Sequence, residues 1–399
     1  MKKKILLILL MVFCLPTVAS TEGYPVVYRI SNYYDTSLKV KVDVVTKHLG
    51  TFILTNSKTS LSKVPQPRKQ VYCADDNRLV EYNRTQRCSS IYWYIELKRQ
   101  PMDGINGAGQ DDYYLNNGQW LITEAYNFPR FHNISKALVC VNDKTCQPIP
   151  VDGLPLFFIW GKQPTTIKLP SLTVNIFTDR QGDTLLDKQK LVKWLEPRYE
   201  YIAQVFNTDK GYPINIVWLA RDTNAKVSGG LAGYHSFLAN YYVENNQLVK
   251  NTETILLHTS LHEYVHVASP YRYATWIEES LAEYYANKAV TLPEFNINSL
   301  ARWQKVAVAH PSFATGLYEA NQKLLNGAVS YYSVLYIKGS AFWNEIDQQL
   351  LKQNASLDQF IPYLAGTNNN IELPKVFIEK VEPIIGKDRL DQLIKQYLR

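Results

Sequence analysis

The stretch Leu261–Tyr285, LHEYVHVASPYRYATWIEESLAEYY, decides how this chain is read. It opens with His262 and His266 bracketing Glu263 and closes with Glu278, Glu279 and Glu283. Histidines four apart on a helix face the same way, one turn apart. Two imidazoles need that arrangement to share a Zn²⁺ at about 2.0–2.1 Å. Glu263, beside the first histidine, is placed to take a proton from a water on such an ion. Asn251 or Thr252 is expected to cap this helix, and Ser269-Pro270 to stop it. His258 shares the face, but helical rise puts it about 12 Å from His266. One ion cannot take both, and only the 262/266 pair sets Glu263 between its ligands. His258 is therefore read as packing or support.

A catalytic zinc commonly has three protein ligands and one open position, so the next helix must supply the third. Thr275-Trp276-Ile277-Glu278 has the form of a capping box, which predicts that Thr275 caps that helix and Glu278 folds back onto it. Glu279 and Glu283 are four apart and share a face flanked by Ala282 and Ala286, small enough for two helices to approach. Glu279 is then the ligand candidate. Glu283, one turn on, is placed to accept a hydrogen bond from the far nitrogen of a liganding histidine. Three solvated acids on an exposed helix would give the same composition; the preceding H-E-x-x-H argues otherwise.

Outward from this stretch, the period of the sequence changes once. From Tyr24 to about Leu169 it is mostly two. Leu38, Val40, Val42 and Val44 alternate with polar residues, as do Trp93, Ile95 and Leu97. Short apolar runs follow at Gln119–Thr123, Ala137–Val141 and Leu156–Trp160. Turn-rich segments such as YLNNGQ separate them. This predicts an all-β, sandwich-like domain over 21–169. After Pro170, LTVNIFT (172–178) and INIVWL (214–219) read as strands and 185–206 as a helix carrying Pro197. The run 229–242, GGLAGYHSFLANYY, reads as a further strand, and helical patterns dominate beyond it. Residues 170–399 thus form an α/β layer followed by helices, and the chain as a whole is α+β and multidomain.

The first twenty residues read as an export signal. Lys2, Lys3 and Lys4 precede an apolar run too short to span a bilayer comfortably, and Ala19 and Ser20 follow. Phe13 before Cys14 does not suit a lipoprotein site. Removing this segment takes away three lysines and no acid, so the net charge falls from +7 to +4. No basic cluster remains, so nucleic acid is not an implied partner. No later apolar run is long enough for stable membrane insertion. The chain is expected to end up secreted or periplasmic. Its four remaining cysteines allow three pairings in an oxidising compartment. The sequence-local one, Cys73–Cys88 with Cys140–Cys146, is expected. No C-x-x-C pair suggests a structural zinc.

At this point the residues resemble a known group. HEYVH followed by WIEESLAEYY is similar to the gluzincin metallopeptidases. The nearest pattern is that of the aminopeptidase N family and the PDZ-bearing glycyl aminopeptidases, in which the glutamate of a W-x-x-E-G-x-A segment binds zinc. Here that segment reads W-I-E-E-S-L-A, which puts the ligand at Glu279 and Ser280 in place of the glycine. YYSVLYIKGSAFW (331–343) resembles the Y-x-K-G segment of these families, whose tyrosine stabilises the oxyanion; the matching residue is Tyr336, with Tyr331 the second choice. GGLAG (229–233) resembles the strand that lines the substrate cleft, which gives Gly229, Gly230, Leu231 and Ala232 as candidates for holding an extended peptide. Aminopeptidases carry a glutamate there that grips the substrate's free amine, and Ala232 and Gly233 stand in its place. The resemblance implies a thermolysin-like zinc peptidase domain, one Zn²⁺ per chain and a peptide or protein substrate. It also implies a compact form without the group's large C-terminal domain. The rival from another class is a zinc-containing protein- or glycan-binding module without catalysis.

Overall fold

Alternation of apolar and polar residues builds the first part of the chain. In the strand Lys39–Val45 the residues Val40, Val42 and Val44 are buried, and in Ser90–Glu96 so are Ile91, Trp93 and Ile95. The structure, a computed structural model, describes residues 25–32, 38–59, 69–100, 112–116, 118–122, 124–141, 145–170, 172–208, 212–223, 229–291, 298–366 and 371–399. The expected export signal, residues 1–20, lies outside them. The described residues divide into two compact units. One falls within Met1–Asn56, Arg68–Ile95 and Pro129–Ile149; the other within Ser57–Pro67, Glu96–Phe128 and Pro150–Arg399.

The first unit holds a sheet in the order Thr145–Pro148, Ala137–Val141, Val26–Asn32, Lys39–Val45, Ser90–Glu96, Tyr72–Cys73. Ala137–Val141 runs parallel to Val26–Asn32. A smaller sheet orders Arg130–Phe131, Phe52–Thr55 and Thr85–Gln86. Rings from both sheets meet between them: Tyr28 lies 5.9 Å from Trp93 and 6.3 Å from Phe131, and Phe131 lies 5.4 Å from Phe52. All four rings are buried, and large aromatic side chains bury more apolar area per residue than aliphatic ones. The sulfurs of Cys73 and Cys88, and of Cys140 and Cys146, are within bonding distance, with Cα separations of 5.7 and 4.1 Å.

The second unit is built on a mixed sheet. Its strands are β1 (Thr165–Lys168), β2 (Thr173–Thr178), β3 (Ile214–Asp222), β4 (Gly230–Gly233) and β5 (Ser236–Glu244), in the order β1-β2-β3-β5-β4. Strands β2, β3 and β5 are parallel, and both edges are antiparallel. The run 229–242 was expected to be one strand. It is a hairpin, β4 and β5, turning at Tyr234 and His235, where His235 takes φ 42°. No Asn-Gly or Asp-Gly pair announces that turn, so the sequence signal for it is absent.

Helices cover the sheet. They are α1 (Lys188–Phe206), α2 (Thr252–Ala268), α3 (Thr275–Val290), α4 (Ser299–Ala309), α5 (Leu317–Leu325), α6 (Tyr332–Leu351) and α7 (Lys375–Ile385). Pro197 sits inside α1, which a separate short helix, Arg180–Leu185, precedes. One core runs from Ile167 and Val174 on the sheet to Tyr264, Trp276, Trp343 and Phe377 on the helices. A four-stranded sheet, Ile159–Trp160, Gln119–Leu121, Tyr113–Asn116 and Lys98–Arg99, also belongs to this unit. These β-rich segments lie early in the chain yet group with the helices, so the compact units do not follow the change of sequence period near Pro170. Among the described residues, no helix is long and apolar enough to cross a membrane.

Candidate metal centre

Helix α2 runs to Ala268 and ends at Ser269, whose extended backbone precedes Pro270. Asn251 is the residue before the first turn, in the left-handed region, and its side chain makes no capping bond. The Thr252 hydroxyl instead accepts from the Tyr242 N–H at 2.5 Å, tying the start of α2 to β5. The next helix corrects the expected capping box. Ala274 stands at the cap, Thr275 is already helical, and neither side chain caps. Asn321 on α5 takes the role, its Oδ1 accepting from the Trp276 N–H at 3.0 Å. Glu278 is therefore free of that task. It turns toward α2, with Oε1 3.6 Å from Nδ1 of His266.

The two helices bring three donor atoms together. Nε2 of His262 and Nε2 of His266 are 3.2 Å apart, and each is 3.5 Å from Oε2 of Glu279. Four ligands around a zinc at about 2.0–2.2 Å have neighbouring donors about 3.3–3.6 Å apart. The observed triangle fits one face of that tetrahedron. These three residues form a group that could hold a metal ion.

Behind the triangle, Nδ1 of His262 lies 3.3 Å from Oε2 of Glu283. That hydrogen bond fixes which ring nitrogen carries the proton and leaves Nε2 to face the other donors. His258 does not reach the triangle. Its Nε2 lies 3.0 Å from Oδ1 of Asn287 and 3.7 Å from Oε1 of Glu283. Burial works against a charged His262, but the carboxylates of Glu279 and Glu283 beside it prevail and raise it to about 9. Burial likewise works against the two carboxylates, and the facing histidines prevail and bring each down to about 2. Each histidine and carboxylate of the group thus favours the charged form of its neighbour.

Glu263 faces the sheet. It is buried, and burial raises its carboxyl above the ordinary glutamate value while the nearby histidines and the Ala232 N–H pull the other way. Strand β4 passes close enough to touch it. A Cβ on Gly230 would come 2.8 Å from Cδ of Glu263 and 2.5 Å from the Leu238 oxygen, so only glycine fits there. Gly229 has open space around it. Gly233 is crowded by the Pro155 oxygen, at 2.5 Å from a Cβ, and by the Phe157 ring. Leu231 and Ala232 are half-buried on the edge strand.

Tyr336, on α6, stands with its ring 5.3 Å from that of His262 at 89°, and 5.9 Å from Tyr332. Burial first, then the charges of Glu279 and Glu263, push its phenol far above the ordinary tyrosine value, so it stays a neutral donor. Tyr331 is placed elsewhere: its hydroxyl accepts from Nζ of Lys323 at 3.2 Å. Ser280 has a local reason. Its hydroxyl accepts from Nε1 of Trp343 at 2.7 Å and donates to the Ile277 carbonyl at 3.2 Å. Gly339, on α6, lies directly against it, a Cβ there falling 3.2 Å from the Ser280 hydroxyl.

No family model matches the sequence, and no curated protein matches it. Solved structures do. An aminopeptidase N family protein from Idiomarina loihiensis matches with TM-score 0.56 at 12% identity, over 93% of this chain and 73% of its own. The likeness is one of fold. An M1 zinc metallopeptidase from Deinococcus radiodurans, a mutant bound to a Tyr-Ser-Ala substrate, matches with TM-score 0.46 at 11% identity, over 94% of this chain and 93% of its own.

Arg302 has no counterpart in the sequence reading, and Glu278 and Lys338 have partners that it does not give. Arg302 donates from Nη1 to Oε1 of Glu283 at 2.9 Å. Glu278 faces His266 instead of its own helix end. Lys338, buried on α6, donates to the Thr315 carbonyl at 2.9 Å, and burial lowers it below an ordinary lysine. No spacing rule could have found Arg302, because it arrives on a different helix.

Proposed function

We propose that this protein is an exported zinc-dependent metallopeptidase that hydrolyses peptide bonds, with one Zn²⁺ per chain held by His262, His266 and Glu279. The observation that carries the reading is the donor triangle, 3.2 by 3.5 by 3.5 Å, with Glu263 on the same helix and Tyr336 against His262. When bound, the ion would supply Lewis acidity, making a water acidic and a carbonyl electrophilic at neutral pH. The chain's own residues do the rest. Glu263 accepts the proton of the attacking water and hands it to the leaving amine, a task suited to a buried carboxyl with a raised pKa. Tyr336 donates a hydrogen bond to the oxygen that gains charge. The open edge of β4, at Gly229, Gly230, Leu231 and Ala232, pairs with an extended peptide. Glu283 keeps His262 in the tautomer that presents Nε2.

Secretion or residence in a periplasm accords with the two cysteine pairs. Ala232 supplies no acid for a free amine, which favours cleavage inside chains over removal of the first residue. The alternative, a zinc-containing binding module without catalysis, is disfavoured because the general base and all three ligands are present together. The deciding experiment profiles cleavage of a peptide library, with and without N-acetylation, by the wild type and by Glu263→Gln. The expected result is cleavage of blocked peptides by the wild type and a loss of about 10²–10⁴-fold in Glu263→Gln with zinc retained. Full activity in zinc-loaded Glu263→Gln would defeat the mechanism.

A further inference from the structure

The two oxygens of Glu283 have different partners. Oε2 lies 3.3 Å from Nδ1 of His262. Oε1 accepts from Nη1 of Arg302 at 2.9 Å and from Nδ2 of Asn287 at 3.4 Å, with Nε2 of His258 3.7 Å away. The carboxylate is buried, at 6% exposure, while the Arg302 side chain reaches it from a position 45% exposed. These groups come from three helices: His258 and His262 from α2, Glu283 and Asn287 from α3, and Arg302 from α4. The first residue of α4 joins in, the Ser299 hydroxyl accepting from Nδ2 of Asn287 at 3.4 Å.

We propose that Arg302 is a positioning residue of the metal centre: it anchors one oxygen of Glu283 so that the other stays on His262. This rests on the zinc reading above. A carboxylate on a flexible stem can swing both oxygens toward whichever donor is strongest. A guanidinium holds an oxygen in a fixed direction through a charge-assisted bond. With Oε1 held on the α4 side, the partner of Oε2 among the described residues is Nδ1 of His262. The proton then stays on Nδ1, and the Nε2 lone pair stays aimed at the partners it shares with His266 and Glu279. An ion pair wholly in solvent would contribute almost nothing. This one ends on a buried acid whose second oxygen orients a metal ligand, so its effect is read in metal affinity. Helix α4 thereby becomes part of the support of the site, although it supplies no ligand.

The test uses the full chain. Arg302→Met and Arg302→Lys are made in the wild type and in a Glu283→Gln background. Zinc affinity is measured by competition with a chromophoric chelator, the Co²⁺-substituted proteins are compared by visible absorption, and the thermal midpoint is recorded without metal. Losing a support of a liganding histidine is expected to weaken zinc by about tenfold in Arg302→Met, with Arg302→Lys recovering most of it. In the Glu283→Gln background the same change is expected to add no more than about twofold, because the two residues act as one unit. Arg302→Gln replaces Arg302→Met if the latter does not fold. Unchanged zinc affinity in the variant would overturn the inference, as would a weakening that persists in full without Glu283 or that merely follows a fall in metal-free stability. A wild type that takes up no zinc would overturn the proposed function and this inference together; a wild type that binds zinc while Arg302→Met binds it equally overturns this inference alone.

Discussion

At the scale of the residue, the chemistry concentrates in a few buried polar groups. Tyr336 stays protonated because burial and two neighbouring carboxylates oppose its ionisation. Tyr336→Phe is expected to lower kcat about 10²–10³-fold with KM little changed, as for loss of one oxyanion donor; steady-state kinetics on a peptide substrate checks it, and an equal rise in KM would point to a packing role instead. The charges of the triangle also set how stability follows pH when metal is absent. His262 is raised to about 9, so the stability its proton contributes is complete below 6.5 and disappears as pH rises through about 9. Glu279 and Glu283 are lowered to about 2, so their contribution is present above 4.5 and lost as pH falls toward about 2. The metal-free thermal midpoint is therefore expected to be highest between those limits and to decline from neutral pH toward 9. The zinc-loaded protein should not show the alkaline decline, because a ligand imidazole must be neutral. Parallel curves with and without zinc would contradict this. Of these residues, His262, Glu263 and His266 were legible from spacing alone. A capping box would occupy Glu278 and leave Glu279 for the histidines, but Ala274 and Asn321 hold the start of that helix. Both adjacent acids approach α2, but Glu278 reaches only Nδ1 of His266, whereas Oε2 of Glu279 lies 3.5 Å from Nε2 of both histidines.

At the scale of the element, small residues decide where helices and strands can meet. Gly339 on α6 lies against Ser280 on α3, and the Ser280 hydroxyl accepts the Trp343 indole N–H at 2.7 Å. This contact holds the helix bearing Tyr336 against the helix bearing Glu279. Gly339→Ala would force the pair apart and is expected to cost about 1–3 kcal/mol, as overpacking does. Denaturant unfolding measures that cost, and an unchanged midpoint would show that the helices can slide to accommodate a methyl group. The hairpin of β4 and β5 illustrates the limit of periodicity. Alternation across 229–242 was visible, but the reversal at Tyr234 and His235 was not, since neither residue is a usual turn former and His235 adopts its left-handed φ under tertiary constraint. The reason for Gly230 was equally hidden. A glycine beside a strand reads as a turn, and only the approach of Glu263 from α2 shows that a side chain fills the space.

At the scale of the whole molecule, the unit that carries the donor triangle also takes in segments from the β-rich part of the chain. Within it the Pro155 carbonyl accepts from the Tyr234 N–H at 3.0 Å, and the Phe157 N–H donates to the Ser236 hydroxyl at 2.9 Å. A fragment of residues 170–399 would lose both bonds and leave Phe158 absent from its place 4.5 Å from Phe177. It is expected to unfold at a lower temperature than a fragment of residues 150–399, with calorimetry as the measure; equal midpoints would mean the segment is ornamental to that unit. The sequence by itself determined the local facts: strands from period two, helices from period 3.6, two histidines on one face, and sequence-local cysteine neighbours. Each of these depends on residues within a turn or a hairpin of one another, which chain geometry controls directly. Only the tertiary structure decided which glutamate approaches Nε2 of both histidines, what caps α3, that Arg302 reaches Glu283, and that segments on either side of Pro170 share one unit. Those outcomes depend on contacts between elements far apart in the chain, where packing of buried surfaces and pairing of buried charges choose among arrangements that spacing leaves equal.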